Sequence, residues 1–253
     1  SANDVVEMVA FDVFSVNDSV SAKDGGSFAG NVGMGGTLSV TGGIVSPVTI
    51  NGTTPTLTIG DAGAEDAKIV FDGNAQDYHI GLDDSIDSLT IGLGSALGTT
   101  THMKFDDAGH ITKPLQPAFL VKPTSTQTNI ALATNVTAIF GTEIFDQNAN
   151  FSSNTFTAPV TGKYQLNASL FLQGLNNAYT FIEMYIATSN KSFARHIKPN
   201  HIFSADSEFT INLSVLADMD VDDTAKVVII SSNNGSAQMD IHTESTFSGY
   251  LAC

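Results

Sequence analysis

The clearest pattern in the chain is a two-residue alternation that begins at Lys163. Tyr164, Leu166, Ala168, Leu170 and Leu172 are apolar, while Lys163, Gln165, Asn167 and Ser169 open the intervening series. Period two with one apolar face predicts a long, half-buried strand in an antiparallel sheet. A short strand over 156–158 is expected to end at Pro159, whose fixed φ and missing N–H suit that place. Gly162 is expected to close a turn that needs positive φ. Further strands are expected over 118–122, 138–145, 179–187 and 226–230. Over 209–217, Phe209, Ile211, Leu213 and Val215 alternate with Thr210, Asn212 and Ser214. Ala237, Met239, Ile241 and Phe247 share one parity near the end. Many strands punctuated by turn residues, with no convincing helical period, predict an all-β sandwich of jelly-roll type.

Residues 27–116 read differently, as short strands among Gly, Thr and turn residues. Leu57-Thr58-Ile59-Gly60 recurs as Leu89-Thr90-Ile91-Gly92, and Ile69-Val70-Phe71-Asp72-Gly73 recurs loosely as Met103-Lys104-Phe105-Asp106-Asp107. Two copies at nearly equal separation predict one β unit used twice. Such a unit cannot bury both faces alone, and three copies wrapped around an axis or stacked would solve that problem. Before it, residues 1–26 carry an apolar run from Val5 to Val16 that fits strand or helix and reads either as an attachment segment or as simple core packing. Lys113-Pro114-Leu115-Gln116-Pro117 is the expected linker, stiffened by its two prolines. The domain reading is therefore 1–26, 27–116 and 117–253.

Composition narrows the function. The chain has 253 residues, 42% of them hydrophobic, which suffices for a sizeable core. Ten Lys and Arg stand against 26 Asp and Glu, a formal net charge of −16, so no nucleic-acid partner is expected. Cys253 is the single cysteine and is expected to be a free thiol, with no intrachain disulfide framework. Val5–Val16 is interrupted by Glu7 and Asp12, so neither a signal peptide nor membrane insertion is expected, and Ser1 reads as a processed start.

No catalytic constellation stands out. Gly-x-Ser-x-Gly, P-loop and dinucleotide fingerprints are missing from the sequence. The six histidines, His79, His102, His110, His196, His201 and His242, read as loop residues. Asp218, Asp220, Asp222 and Asp223 offer oxygen ligands at short spacing and form a candidate Ca²⁺ site, although the Gly and late Glu of an EF-hand loop are missing. A solvated turn is the alternative reading of that run.

Phe151, Phe156, Ala158-Pro159, Gly162 and Tyr164, read with Ser245-Thr246-Phe247-Ser248-Gly249-Tyr250-Leu251, resemble the globular heads of the C1q/TNF superfamily. In those heads an aromatic-x-Ala/Val-Pro-x-x-Gly-x-Tyr block precedes a central strand, and a Phe-Ser-Gly-aromatic-Leu block forms the last one. The resemblance covers 117–253 and implies a ten-strand jelly roll that assembles as a homotrimer. The Gly-Thr-Leu-x-Val-Thr-Gly style of 36–42, with the stretch from Phe71 to Asp84, resembles shaft and collar segments of phage tail fibres and other virion fibre proteins.

The resulting expectation is a non-enzymatic, trimeric fibre on a virion surface. Residues 1–26 would join other virion proteins, and the head would meet a host-surface glycan or protein through avidity. Contact is expected at loops 174–178, 190–201 and 232–236. The alternatives are a capsid-decorating structural protein, a secreted bacterial C1q-like adhesin or, as an enzyme, a glycan depolymerase.

Overall fold

The computed structural model describes residues 47–199 and 207–253. The attachment segment expected at 1–26, the strand expected near 36–43, and His201 lie outside the described residues. Residues 58–253 group into one compact unit. Among its described residues, helix is limited to 3-10 turns at Asp84–Ile86 and at Pro199.

Among the described residues five strands come first: β1 (Ala67–Phe71), β2 (Tyr78–Asp83), β3 (Ser88–Leu93), β4 (Thr101–Phe105) and β5 (Ile111–Thr112). They form an antiparallel sheet in that order. Cross-strand pairing stacks apolar side chains in rows on one face. Ile69 faces Ile80, Ile80 faces Ile91, and Ile91 faces Met103. Ala67, Leu82, Leu89, Phe105 and Ile111 make the next row, and Phe71, Tyr78 and Leu93 the third. The opposite face carries His79, Asp83, Ser88 and Thr90, which are buried.

Burial of that polar face has a local cause. The β3–β4 connection returns close to β2 and β3. Gly94 N–H donates to Asp77 O at 2.8 Å, Leu93 N–H donates to Thr100 O at 3.0 Å, and His79 Nδ1 lies 2.8 Å from Gly94 O. The two Phe-Asp copies of the repeat end β1 and β4, with Asp72 and Asp106 just past the last strand residue. The Leu-Thr-Ile-Gly copies part company, since 57–60 lies in no strand while 89–92 lies in β3. The second copy has strand partners on both sides; the first has none.

The remaining strands are β6 (Ala118–Lys122), β7 (Val136–Thr137), β8 (Thr142–Gln147), β9 (Phe151–Ser152), β10 (Thr155–Thr157) and β11 (Gly162–Leu175). After them come β12 (Tyr179–Thr188), β13 (Ser192–Ile197), β14 (Ser207–Met219), β15 (Thr224–Asn233), β16 (Asp240–Ile241) and β17 (Thr246–Leu251). One sheet runs β14-β11-β17-β6-β8 with β16 attached to β11, and the other runs β13-β12-β15-β10-β9 with β7 attached to β15. The antiparallel pairs nest: β12 with β13, β11 with β14, β10 with β15, and β6 with β17. A long hairpin rolled up in this way is a jelly roll, and full pairing of its interior strands leaves few open edges. Each sheet thus has a five-strand path plus one two-residue strand, where the resemblance implied ten strands in all.

Burial follows the sequence alternation closely along β11, where Tyr164, Leu166, Ala168, Leu170 and Leu172 all point into the core. Two expectations shift. The strand expected over 138–145 starts at Thr142, because the donors before it are taken elsewhere: Ala138 N–H by Val227 O, Ile139 N–H by Gln127 Oε1 and Phe140 N–H by Asn154 Oδ1. The expected linker at 113–117 is a turn rather than an extended spacer. Gln116 N–H donates to Lys113 O at 3.1 Å, and Gln116 Nε2 donates to Leu251 O at 2.6 Å.

Candidate functional site

The residues that carry the family resemblance meet in the jelly-roll core. Phe119 stacks on Phe156 with centroids 4.7 Å apart and on Phe151 at 5.3 Å, while Phe247 meets Phe119 edge-on at 5.0 Å. Tyr164 lies 5.4 Å from Phe156, and its hydroxyl donates to Val160 O at 2.7 Å, just past Pro159. Burial raises its phenol pKa above the ordinary tyrosine value. Phe119 is the centre of this cluster, and its role is hidden in sequence because it stands in an unremarkable five-residue strand.

The two motif glycines are small for reasons of space. Gly162 is the first residue of β11 and keeps an ordinary negative φ, contrary to the turn role expected for it. A Cβ there would sit 2.6 Å from Leu251 Cδ1 and 2.8 Å from Cys253 O. At Gly249 a Cβ would come within 2.6 Å of Leu166 Cδ2 and 2.8 Å of Phe119 Cε1. Tyr250 and Pro159 differ from the buried members of the motif: both are exposed, Tyr250 by half.

The candidate Ca²⁺ ligands are not gathered around a point. Asp218 pairs with Lys163 Nζ across β11 and β14, and that hydrogen bond holds the Lys163 ammonium above the usual lysine range. Asp220 Oδ1 accepts from Thr161 Oγ1 at 3.4 Å. Asp223 Oδ2 accepts from Asp220 N–H at 2.8 Å and from Asn190 Nδ2 at 2.6 Å, which ties the β14–β15 turn to the β12–β13 turn. Asp222 occupies that turn at φ 69°. Among the described residues no three His, Cys, Asp or Glu side chains are placed to hold one ion.

Among the described histidines, the loop assignment fits His110, which bonds Asp106 at 2.9 Å. His79 instead lies in β2 and is fully buried, its Nε2 meeting no protein partner. Its neighbours Tyr78 and Ile80 are exposed, so the two-residue period does mark His79 as belonging to the opposite face. His102 lies in β4 against Tyr78, with rings 6.0 Å apart, and His196 in β13 stacks on Phe181 at 5.7 Å.

The three candidate contact loops separate into two places. Loops 174–178 and 232–236 adjoin, joined by Asn234 N–H to Ala178 O at 2.9 Å. In the described part of the third stretch, 190–199, Ser192–Ile197 is β13, and Asn190 lies with the β14–β15 turn at the other end of the sheet. Sequence alternation is weak in β13 because this edge strand has little buried surface to mark.

Larger exposed features lie on sheet faces. The outer face of β14, β11 and β17 has a shallow groove of about 360 Å³ lined by Asn167, Ser169, Asn212, Ser214, Thr246 and Ser248. Gln165 Nε2 donates to Ser214 Oγ at 2.8 Å, and Ser214 Oγ donates to Asn167 Oδ1 at 2.8 Å, which fixes the polar strip. Exposed Leu216 and Tyr250 flank Gln165 on the two neighbouring strands. The second feature is the apolar face of β1–β5.

No protein-family model matches the chain, and no curated protein does. Among solved structures, the globular domain of zebrafish complement 1qA protein is similar at TM-score 0.39 and 15% identity, over 55% of this chain and 98% of that one. Murine APRIL is similar at TM-score 0.37 and 11% identity, over 54% of this chain and 98% of that one. The jelly-roll assignment stands on the nested strand pairs described above.

Proposed function

We propose that the chain is a non-enzymatic fibre-type protein of a virion, joined as a homotrimer, whose jelly-roll head displays surface loops for attachment to a host surface. One observation carries this reading. The core is closed by packed aromatic and aliphatic side chains, while large apolar residues are left outside on flat sheet faces. Flat apolar faces suit association between proteins, whereas small-molecule sites are concave with a few converging polar groups. Three copies would present the 174–178 and 232–236 loops three times, and such linkage strengthens weak single contacts by on the order of 10²–10⁴.

Light scattering on the full chain tests the assembly, with three times the chain mass expected at micromolar concentration; a monomer would end this reading. Binding to host cells tests the attachment role. Retention on cells, weakened by Asn176→Ala with Asn234→Ala, is the expected result. Tight association with particles and no cell binding would favour a capsid-decorating role instead. Release of reducing ends from host polysaccharide would overturn the non-enzymatic assignment.

A further inference from the structure

The β1–β5 sheet has its polarity reversed relative to an ordinary half-buried sheet. Its own β3–β4 connection covers the polar side, where His79 and Thr90 are wholly buried. The apolar side is left to solvent, with Ile69, Phe71, Tyr78, Ile80, Leu82, Leu89 and Ile111 between 37% and 58% exposed. A sheet that turns its apolar rows outward is half of a packed pair, since facing sheets bury such rows about 10 Å apart.

We propose that this face is the inner wall of a stem in which three copies of the chain bring their β1–β5 sheets together around one axis. The proposal rests on the self-association argued above and names the surface the stem would use. Three features favour further copies as the occupant. First, the face is free of fixed charge in a chain of net charge −16, because Lys68, Asp83 and Lys104 all belong to the opposite parity. Copies that repel over much of their surface can approach here without opposing charges. Second, five strands of this length give a footprint of roughly 400 Å², about half of what each partner contributes to a standard stable pair. A separate protein docked on this face alone would be held weakly, while copies already joined at their heads meet at millimolar effective concentration. Third, wholly apolar contact rows are the composition of permanent homomeric interfaces rather than of exchanging ones. Tyr78 and His102 sit together at one corner, where a polar rim is expected.

Cysteine accessibility tests this in full-length protein with the exposed Cys253 replaced through Cys253→Ser. Ile80→Cys probes the centre of the apolar face, and Lys68→Cys the opposite side. The expected result is a trimer in which Ile80→Cys reacts with maleimide slower than Lys68→Cys by roughly tenfold or more. Allowed to react to completion, a short bismaleimide should then join Ile80→Cys chains, but not Lys68→Cys chains, into covalent dimers, since each chain carries one thiol. Equal labelling in a trimer would overturn the stem face and leave self-association standing. Protection without cross-linking would mean that another part of the same chain covers the face, which also overturns it. A dimer mass would exclude the three-fold arrangement, and a monomer would remove both proposals. If Ile80→Cys fails to fold, Leu89→Cys on the adjacent strand reports on the same face.

Discussion

Tyr164 is held in the head's core at both its ring and its hydroxyl. Its ring packs on Phe156, and its hydroxyl closes on Val160 O at 2.7 Å. Tyr164→Phe should cost about 1 kcal/mol by losing one hydrogen bond, and Tyr164→Ala about 3–5 kcal/mol by opening a cavity. Urea unfolding followed by circular dichroism separates the two. Because burial raises the phenol pKa in the folded state, the neutral ring is the favoured form. The contribution is therefore complete below the unfolded value of about 10, and it is lost as pH rises through the folded one. Wild type should lose stability above about pH 10 more steeply than Tyr164→Phe does. Gly249→Ala presses a methyl group against Leu166 and Phe119, and overpacking of that kind costs about 1–3 kcal/mol. A midpoint unchanged in Gly249→Ala would mean that the two strands yield there.

At the scale of elements, the strands with one face in the core were legible. β11 and β14 declare themselves by period two because one face has somewhere dry to point, while β17 is marked by its Phe-Ser-Gly-aromatic-Leu block. β13 was not legible, since an exposed edge strand places no constraint on alternate side chains. The small sheet was half legible. Its alternation tells which side chains share a face, but only the path of the β3–β4 connection decides which face is covered. Gly162 is small because of Leu251 and not because of a turn, and a steric limit of that kind leaves no trace in local sequence. The β8–β9 turn hides a similar device. Asp146 accepts from Asn150 N–H at 3.0 Å and Phe151 N–H at 2.8 Å, and so holds Asn148 and Ala149 at positive φ. Asp146→Ala should lower stability by about 1–3 kcal/mol, since both donors lose a charged acceptor. Ala149→Gly should raise it by about 1 kcal/mol, as its φ of 53° disfavours a Cβ. Thermal midpoints moving in opposite directions would check both.

The whole molecule sets charge against apolar surface. A net charge of −16 keeps copies apart, and each apolar face removed from water draws them together. Salt acts on the first term far more than on the second. Between 0.01 and 0.15 M ionic strength the screening length falls from about 30 Å to about 8 Å, so repulsion between neighbouring copies is cut while burial is little changed. Association driven by the β1–β5 face should therefore tighten as salt rises, with sedimentation velocity showing more trimer at 0.15 M than at 0.01 M. Ile80→Asp places a carboxylate in the middle of the apolar rows and should weaken association at either salt concentration. Its deficit should be largest at low salt, where the added charges are least screened. Association that weakens with salt would point instead to ion pairs between copies, and the apolar face would then have to be covered by something other than its own kind.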